Sequence, residues 1–305
     1  MTHYRDGHRV VLANYGFNEE GPYLKFNDID TKTQHLFSVR GKTFTMRRSP
    51  RRYCVGRFDL RTFESSVCPL EVELLPTEKD DMCPACREAT GFNPSFYFAE
   101  TVSPQQREYN LTPHFVYLAF FSPQHVKAGI SSETRGIERL LEQGARTARI
   151  VGRFENADEA RGLEAALCAQ AGILETMRAS LKARLLAETR YNPAEAARVL
   201  EQATERMQGI GAVTAAGFAP EEIQDLSPYY FGGPSPDESE LQIPEGHDDE
   251  CAGVCSGMVG GMLLMRQGNF SYIVSLKEWE SHMVDLLEDE VAFEYDSAPQ
   301  QISLF

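Results

Sequence analysis

Short apolar runs separated by polar turns dominate the first ninety residues. Val10-Val11-Leu12, Tyr23-Leu24-Lys25-Phe26 and Leu36-Phe37-Ser38-Val39 have strand length and strand alternation, so this segment is expected to be β-rich. From about Pro113 the pattern becomes strand, strand, helix, strand, helix. Phe115–Phe121 is a continuous apolar run, and Val126–Ser131 follows it after the turn Ser122-Pro123-Gln124. Ser131 or Ser132 suits the cap of a helix starting near Glu133, whose Ile137, Leu140 and Leu141 share a face. Gly144 suits its end. Ala148–Phe154 reads as a third strand, and Asp158 as the cap of a helix with Leu163, Ala166 and Leu167 on one side.

Leu174–Glu188 is amphipathic, and Asn192-Pro193 opens a helix running to about Met207. Gly209, Gly211 and a loop to Pro236 set off a last unit containing the hairpin Gly261–Met265 with Phe270–Leu276. That hairpin echoes Gly21–Phe26 with Leu36–Val39, and the two β-rich segments are candidates to pack together. The expected fold class is α+β. A β-rich segment (1–99) precedes a small β-β-α-β-α domain (110–190), then a helical extension and linker (191–236), a second β-rich segment (237–296) and a tail (297–305).

The 305 residues, 42% hydrophobic and 25% charged, suffice for several cores. The apolar run at Phe115–Phe121 falls far short of the roughly 20 residues that cross a bilayer. The first residues, MTHYRDGHRV, lack the apolar centre of an export signal. The expectation is a cytoplasmic protein with no membrane partner.

A formal net charge of −15 argues against nucleic acid coating the whole surface. Positive charge gathers in two islands: Arg40, Lys42, Arg47, Arg48, Arg51, Arg52 and Arg57, then Arg146, Arg149 and Arg153. These islands are compatible with a localised phosphate-binding face, with Arg47, Arg48, Arg51 and Arg52 as candidate contacts. Internal pairing with acids is the alternative.

Cys54, Cys68, Cys83 and Cys86 lie within 33 residues, with Cys83-Pro-Ala-Cys86 as a knuckle. Four thiolates so placed can close a tetrahedral structural Zn2+ site in a loop-rich region. A redox Cys-x-x-Cys pair is the competitor, without a thioredoxin-like strand-to-helix context. Cys251, Cys255 and His247 offer three ligands for a second site, and Cys168 reads as helix packing.

The segment HFVYLAFFSPQHVKAGISSETRGIERLLEQGA, residues 114–145, resembles a prokaryotic family marked by a VYLA strand, a KxGI strand, an Arg and a Gln-Gly-Ala turn after paired cysteines. Through it the chain is similar to the GIY-YIG nuclease superfamily over roughly residues 50–175. The resemblance implies a metal-dependent nuclease. Tyr117 stands for the first tyrosine, Lys127-Ala128-Gly129 for Tyr-Ile-Gly, Arg139 for the helix arginine and Glu164 for the metal-binding acid. In these roles Tyr117 orients or deprotonates water, and Arg139 bridges phosphate oxygens in its planar fork. Lys127 adds a phosphate contact, and Glu164 holds Mg2+ or Mn2+. Gly129 lets a backbone approach a phosphate. The chain departs from the pattern at two positions: Lys127 replaces the second tyrosine, and Gln143 stands where nucleases often carry His or Tyr. His114, out of phase with Tyr117 on the strand, is a strand-end or substrate contact.

The residues Gln301-Ile302-Ser303-Leu304-Phe305 resemble the peptide with which bacterial replication and repair proteins dock onto the DNA sliding clamp. Leu304 and Phe305 would enter a hydrophobic cleft, and Gln301 would hydrogen-bond at its rim. Ser297-Ala298-Pro299-Gln300 upstream suits an accessible segment. Packing of Ile302, Leu304 and Phe305 onto the domain is the competing reading. Together these resemblances imply a nuclease of DNA replication or repair that is associated with the nucleoid. DNA is the expected substrate, and RNA stays open. The alternative is a catalytically inactive binding module or clamp-associated adaptor that keeps the fold.

Overall fold

The computed structural model describes residues 7–92, 102–232, 241–244 and 249–293. The residues 301–305 and His247 lie outside this set. Four strands come first: β1 (Val10–Asn18), β2 (Gly21–Asp28), β3 (Thr33–Ser38) and β4 (Thr43–Tyr53). Short pieces β5 (Arg57–Phe58), β6 (Ser65–Ser66), β7 (Glu73–Leu74) and helix α1 (Pro84–Thr90) carry the cysteines. Helix α2 (Pro104–Asn110) leads into β8 (His114–Ser122), β9 (His125–Ser132), α3 (Glu138–Gln143), β10 (Thr147–Phe154) and α4 (Ala157–Cys168). Then come β11 (Ile173–Leu174), α5 (Ala179–Glu188), α6 (Pro193–Gln208), α7 (Gly211–Ala215), β12 (Ile223–Asp225) and α8 (Ser227–Phe231). The chain closes with β13 (Leu241–Gln242), β14 (Glu250–Val259), β15 (Met262–Gln267), β16 (Phe270–Ser275) and β17 (His282–Glu288). The architecture is mixed α+β and strand-rich. Among the described residues no helix is long and apolar enough to cross a membrane.

The two β-rich segments form one ten-stranded sheet in the order β13-β16-β15-β14-β4-β17-β1-β2-β3, with β7 also on β4. The segments 1–99 and 237–296, expected as candidates to pack together, do so by sharing this sheet. Strand β4 is the seam, pairing antiparallel with β14 at Met46↔Cys251 and with β17 at Met46↔Leu286. The alternate residues Phe44 and Met46 are fully buried in the shared core.

The second sheet runs β11-β9-β8-β10-β12. Strand β8 is buried at every position because both faces are covered. Phe115, Tyr117, Ala119 and Phe121 share a core with the large sheet, α3 and α5. Val116, Leu118 and Phe120 share another with α4 and α6. The expected helical extension 191–236 belongs to this unit, since β12 pairs with β10 and α6 packs on β8. The two sheets are fastened by Tyr230, whose buried Oη lies 2.7 Å from the Ala145 carbonyl and 3.2 Å from that of Leu141.

Several local expectations hold in detail. Gly144 ends α3 with a left-handed φ of 75°, and Asn192 caps α6 by accepting from the Glu195 N–H. Asn156 rather than Asp158 caps α4. Leu174 ends a strand, and the helix begins only at Ala179. Cys251 and Cys255 are buried strand residues of the large sheet, while Cys168 is half-buried at the end of α4.

Candidate functional site

The cysteine quartet is built by loops. Its four ligand sulfurs all lie within 4.8 Å of one another, and all four residues are buried. Apart from these thiols, Leu74, Val72 and Met82 are what this small core contains, so hydrophobic burial alone is thin. Two backbone N–H groups already point at one sulfur: Cys83 at 3.1 Å and Gly56 at 3.4 Å from Cys54 Sγ. Burial pushes the Cys54 thiol up to about 12, so deprotonating it needs a compensating cation. A Zn2+ ion fits that donor set. Among the described residues this is the group of three or more His, Cys, Asp and Glu side chains placed to share an ion.

The second cluster forms on the β8/β9 pair. Tyr117 stands directly opposite Gly129 in the antiparallel register. A Cβ built on Gly129 would meet Tyr117 Oη at 2.5 Å and Lys127 Nζ at 3.1 Å. The glycine therefore makes room for the tyrosine's own hydroxyl, which corrects its expected role as a phosphate approach. The arrangement recurs in the large sheet, where Tyr23 lies over its register partner Gly16. Gly129→Ala should cost about 1–3 kcal/mol of stability, because the buried ring cannot swing away. An unchanged denaturant midpoint would contradict this packing.

Tyr117 is fully buried, and Arg139 is the polar group beside its Oη, although no well-formed hydrogen bond reaches that oxygen among the described residues. Burial raises its pKa against the pull of the neighbouring Arg139. Tyr117 is absent from the lining of the open cavity beside Arg139, so its expected role of orienting or deprotonating water has no geometric support. Lys127 is buried in the β9 wall, with Nζ 3.1 Å from the Ala128 carbonyl and 5.8 Å from the centre of the Tyr117 ring. Burial, and then the charge of Arg139, lower its pKa to about 8. Lys182 on α5 completes the group, donating to the Gln143 carbonyl at 2.7 Å. Burial and then the charges of Lys127 and Arg139 hold it at about 8 as well. Glu142 serves both Arg135 and Arg139, the latter at 3.7 Å. Positive charge therefore exceeds negative charge here.

Glu164 lies apart from this group. Its helix packs its apolar side on the other face of the sheet. Burial and then Glu175 raise its pKa to about 7. Cys168 and Glu175 link it electrostatically to Lys127. His114 anchors the start of β8, with Nδ1 2.7 Å from the Thr112 carbonyl and its ring edge-on to Tyr109.

The described arginines of the first basic island that were candidate contacts have internal partners, the alternative reading of this charge. Arg47 pairs with Glu250 at 3.0 Å, Arg48 with Asp249 at 2.5 Å and Arg51 with Glu73 at 2.9 Å. Arg52 is buried and donates to Ser281 at 2.8 Å and the Asp80 carbonyl at 3.1 Å. In the second island, Arg149 pairs with Glu201 at 2.6 Å and Arg153 with Glu221 at 2.5 Å.

The sequence model of DUF2797, described as a protein of unknown function, matches residues 41–284. The chain belongs to the DUF2797 family. No curated protein and no solved structure matches it. The DUF2797 match spans both the cysteine quartet and the Tyr117–Arg139–Lys182 cluster.

Sequence reasoning alone missed Lys182 and Glu175. For Lys182 a signal existed: in the helix Ala179–Glu188 it stands four residues before the buried Leu186, a charge placed on the apolar stripe. Glu175 follows the two-residue strand β11, which pairs with β9 at Lys127 and is too short to read from a pattern.

Proposed function

We propose that this chain is a nucleic-acid-binding protein of DNA replication or repair whose small domain is a GIY-YIG-like module, stabilised by a structural zinc centre. The observation that carries this reading is the gathering of Arg139, Lys127 and Lys182 around Tyr117 in a protein with net charge −15. Three mutually repelling cations held in place are neutralised by phosphate oxygens, and Arg139 presents a planar fork to them. Gln143 ends α3 beside them, contributing its carbonyl to Lys182. The match of Gln301, Leu304 and Phe305 to clamp-docking peptides supports recruitment to the sliding clamp.

A second reading, phosphodiester hydrolysis, is favoured by the crowding of Glu164 and Glu175. A buried Glu164 that feels the charge of the exposed Glu175 is relieved by a divalent cation, and Mg2+ needs only one or two carboxylates with retained waters. Glu164 would hold Mg2+ or Mn2+, which lowers the pKa of bound water and shields phosphate charge.

One experiment separates the readings. Fluorescence anisotropy on single-stranded, forked and nicked DNA and on RNA should show binding that Arg139→Ala weakens by about tenfold. Tyr117→Phe should leave it intact. Product gels with Mg2+ or Mn2+ then test turnover, and cleavage abolished by Glu164→Gln selects the nuclease. Equal affinity of wild type and Arg139→Ala on every substrate removes the proposal.

A further inference from the structure

A cavity of about 720 Å3 opens between the cysteine module, α3, α5 and the β14–β15 turn. Its volume lies within the range of small-ligand sites. Seven Arg and Lys side chains line it against four Asp and Glu, so its sign is opposite to that of the whole protein. Its cationic wall is Arg135, Arg139 and Lys182. Glu142 is shared between the two arginines, and Lys182 meets a carbonyl and the Phe121 ring, 5.2 Å from the ring centre.

Its other wall is aromatic. Phe58, Phe63, Phe92 and Tyr109 all line the cavity. Tyr109 meets Phe63 at 6.2 Å, tilted, and Phe92 at 6.3 Å, edge-on. Phe58 meets Phe63 edge-on at 6.1 Å. None of these contacts is a parallel stack, and Phe58, Phe63 and Tyr109 are each only partly buried, so this wall is an apolar aromatic surface within reach of a planar guest. Phe92 is 43% exposed, a large apolar surface on this wall open to solvent.

We infer that this cavity binds a nucleotide unit, its base against the Phe63–Tyr109 wall and its phosphate on Arg139 and Lys182. The inference rests on the phosphate-binding reading above and adds to it a built pocket for one base. Aromatic stacking contributes on the order of 1–3 kcal/mol per base without sequence preference. Cations alone would hold any phosphate. The pairing of both walls in one cavity selects a ligand carrying a planar ring and an anion together. Such a unit can be a free mononucleotide or the phosphorylated end of a strand.

The test is calorimetric titration of the full chain with adenosine 5′-phosphate, adenosine 5′-triphosphate, adenosine, inorganic phosphate and a 5′-phosphorylated oligonucleotide. The nucleotides should bind at least about tenfold more tightly than adenosine or phosphate, since each of these lacks one wall's partner. Tyr109→Leu and Lys182→Met should each weaken nucleotide binding by about tenfold. Because either variant can perturb folding, photocrosslinking of 8-azidoadenosine 5′-phosphate to the unaltered chain gives an independent readout. The label should map to peptides containing Phe63 or Tyr109. Tighter binding of the oligonucleotide than of the free nucleotides identifies a strand end as the guest, and the reverse identifies a soluble ligand. Phosphate binding as tightly as nucleotide, or label elsewhere, overturns the inference. Oligonucleotide binding without any nucleotide binding overturns it while leaving the phosphate-binding reading intact. If neither binds, both fall.

Discussion

Replacing Cys86 by Ser is expected to strip the protein of its zinc and to unfold the module between β4 and α2. Metal analysis of the unaltered chain should give one zinc per cysteine quartet, and the variant should give almost none. The size of the effect follows from how little else holds this region. Its core is four thiols with Leu74, Val72 and Met82, and β5, β6 and β7 are two-residue strands. Structural zinc contributes on the order of 10 kcal/mol to the folding of small modules. Even about 3 kcal/mol lost to the whole chain would lower Tm by roughly 5–10 °C. The damage should spread, because β7 pairs with β4 at Arg52 and Tyr53 and Phe58 and Phe63 line the central cavity. Limited proteolysis should cut first between Gly56 and Gly91 in the variant. An unaltered chain that holds no zinc and resists protease equally well after Cys86→Ser would show that the thiols pack as ordinary core.

What the sequence disclosed, and what it hid, follows from the range of each interaction. The small domain was legible because its signals are local: a nine-residue buried strand, Gly144 at φ 75°, and Asn192 capping the Pro193 helix. The cysteine quartet was legible because thiols that could share one ion can be recognised by residue type and by their crowding into one short segment. That the two β-rich segments could pack together was legible, but the strand order of the large sheet was not, because it depends on pairings some 200 residues apart, such as Glu250 with Arg47. A hydrophobic pattern says that β4 and β14 each have an inner face, but not that they meet. The same distance hid the fate of the first basic island. Asp249 and Glu250 neutralise Arg48 and Arg47 only because β14 lies beside β4. Gly129 shows the converse. It was rightly singled out as a position of close approach, but the approaching group is the phenol of Tyr117 from the next strand.

Affinity for nucleic acid should fall steeply as pH rises from 8 to 9, a window in which phosphodiesters themselves do not titrate. Burial holds Lys127 and Lys182 at about 8. Phosphate oxygens favour the charged lysine, so binding pulls each pKa back towards its ordinary value and takes up protons. Above pH 8, each lysine in contact can then cost up to about tenfold in affinity per pH unit, and two can cost up to about a hundredfold. The stability of the free protein moves the other way. A lysine whose folded pKa is depressed contributes stability that is complete above its unfolded value of 10.5 and lost as pH falls through about 8. The unliganded chain should therefore gain stability from these two groups between pH 8 and 10.5 while it loses affinity. Opposite trends distinguish titration at the site from alkaline unfolding, which would lower both. Anisotropy titrations with an unphosphorylated oligonucleotide at fixed ionic strength measure the first trend, and urea midpoints measure the second. Lys182→Met should halve the slope of log affinity against pH, because one of the two protons is no longer taken up. A flat profile between pH 7 and 9 would mean that phosphate contacts only the arginines. The two lysines would then be buried for packing, and the electropositive wall of the cavity would reduce to Arg135 and Arg139.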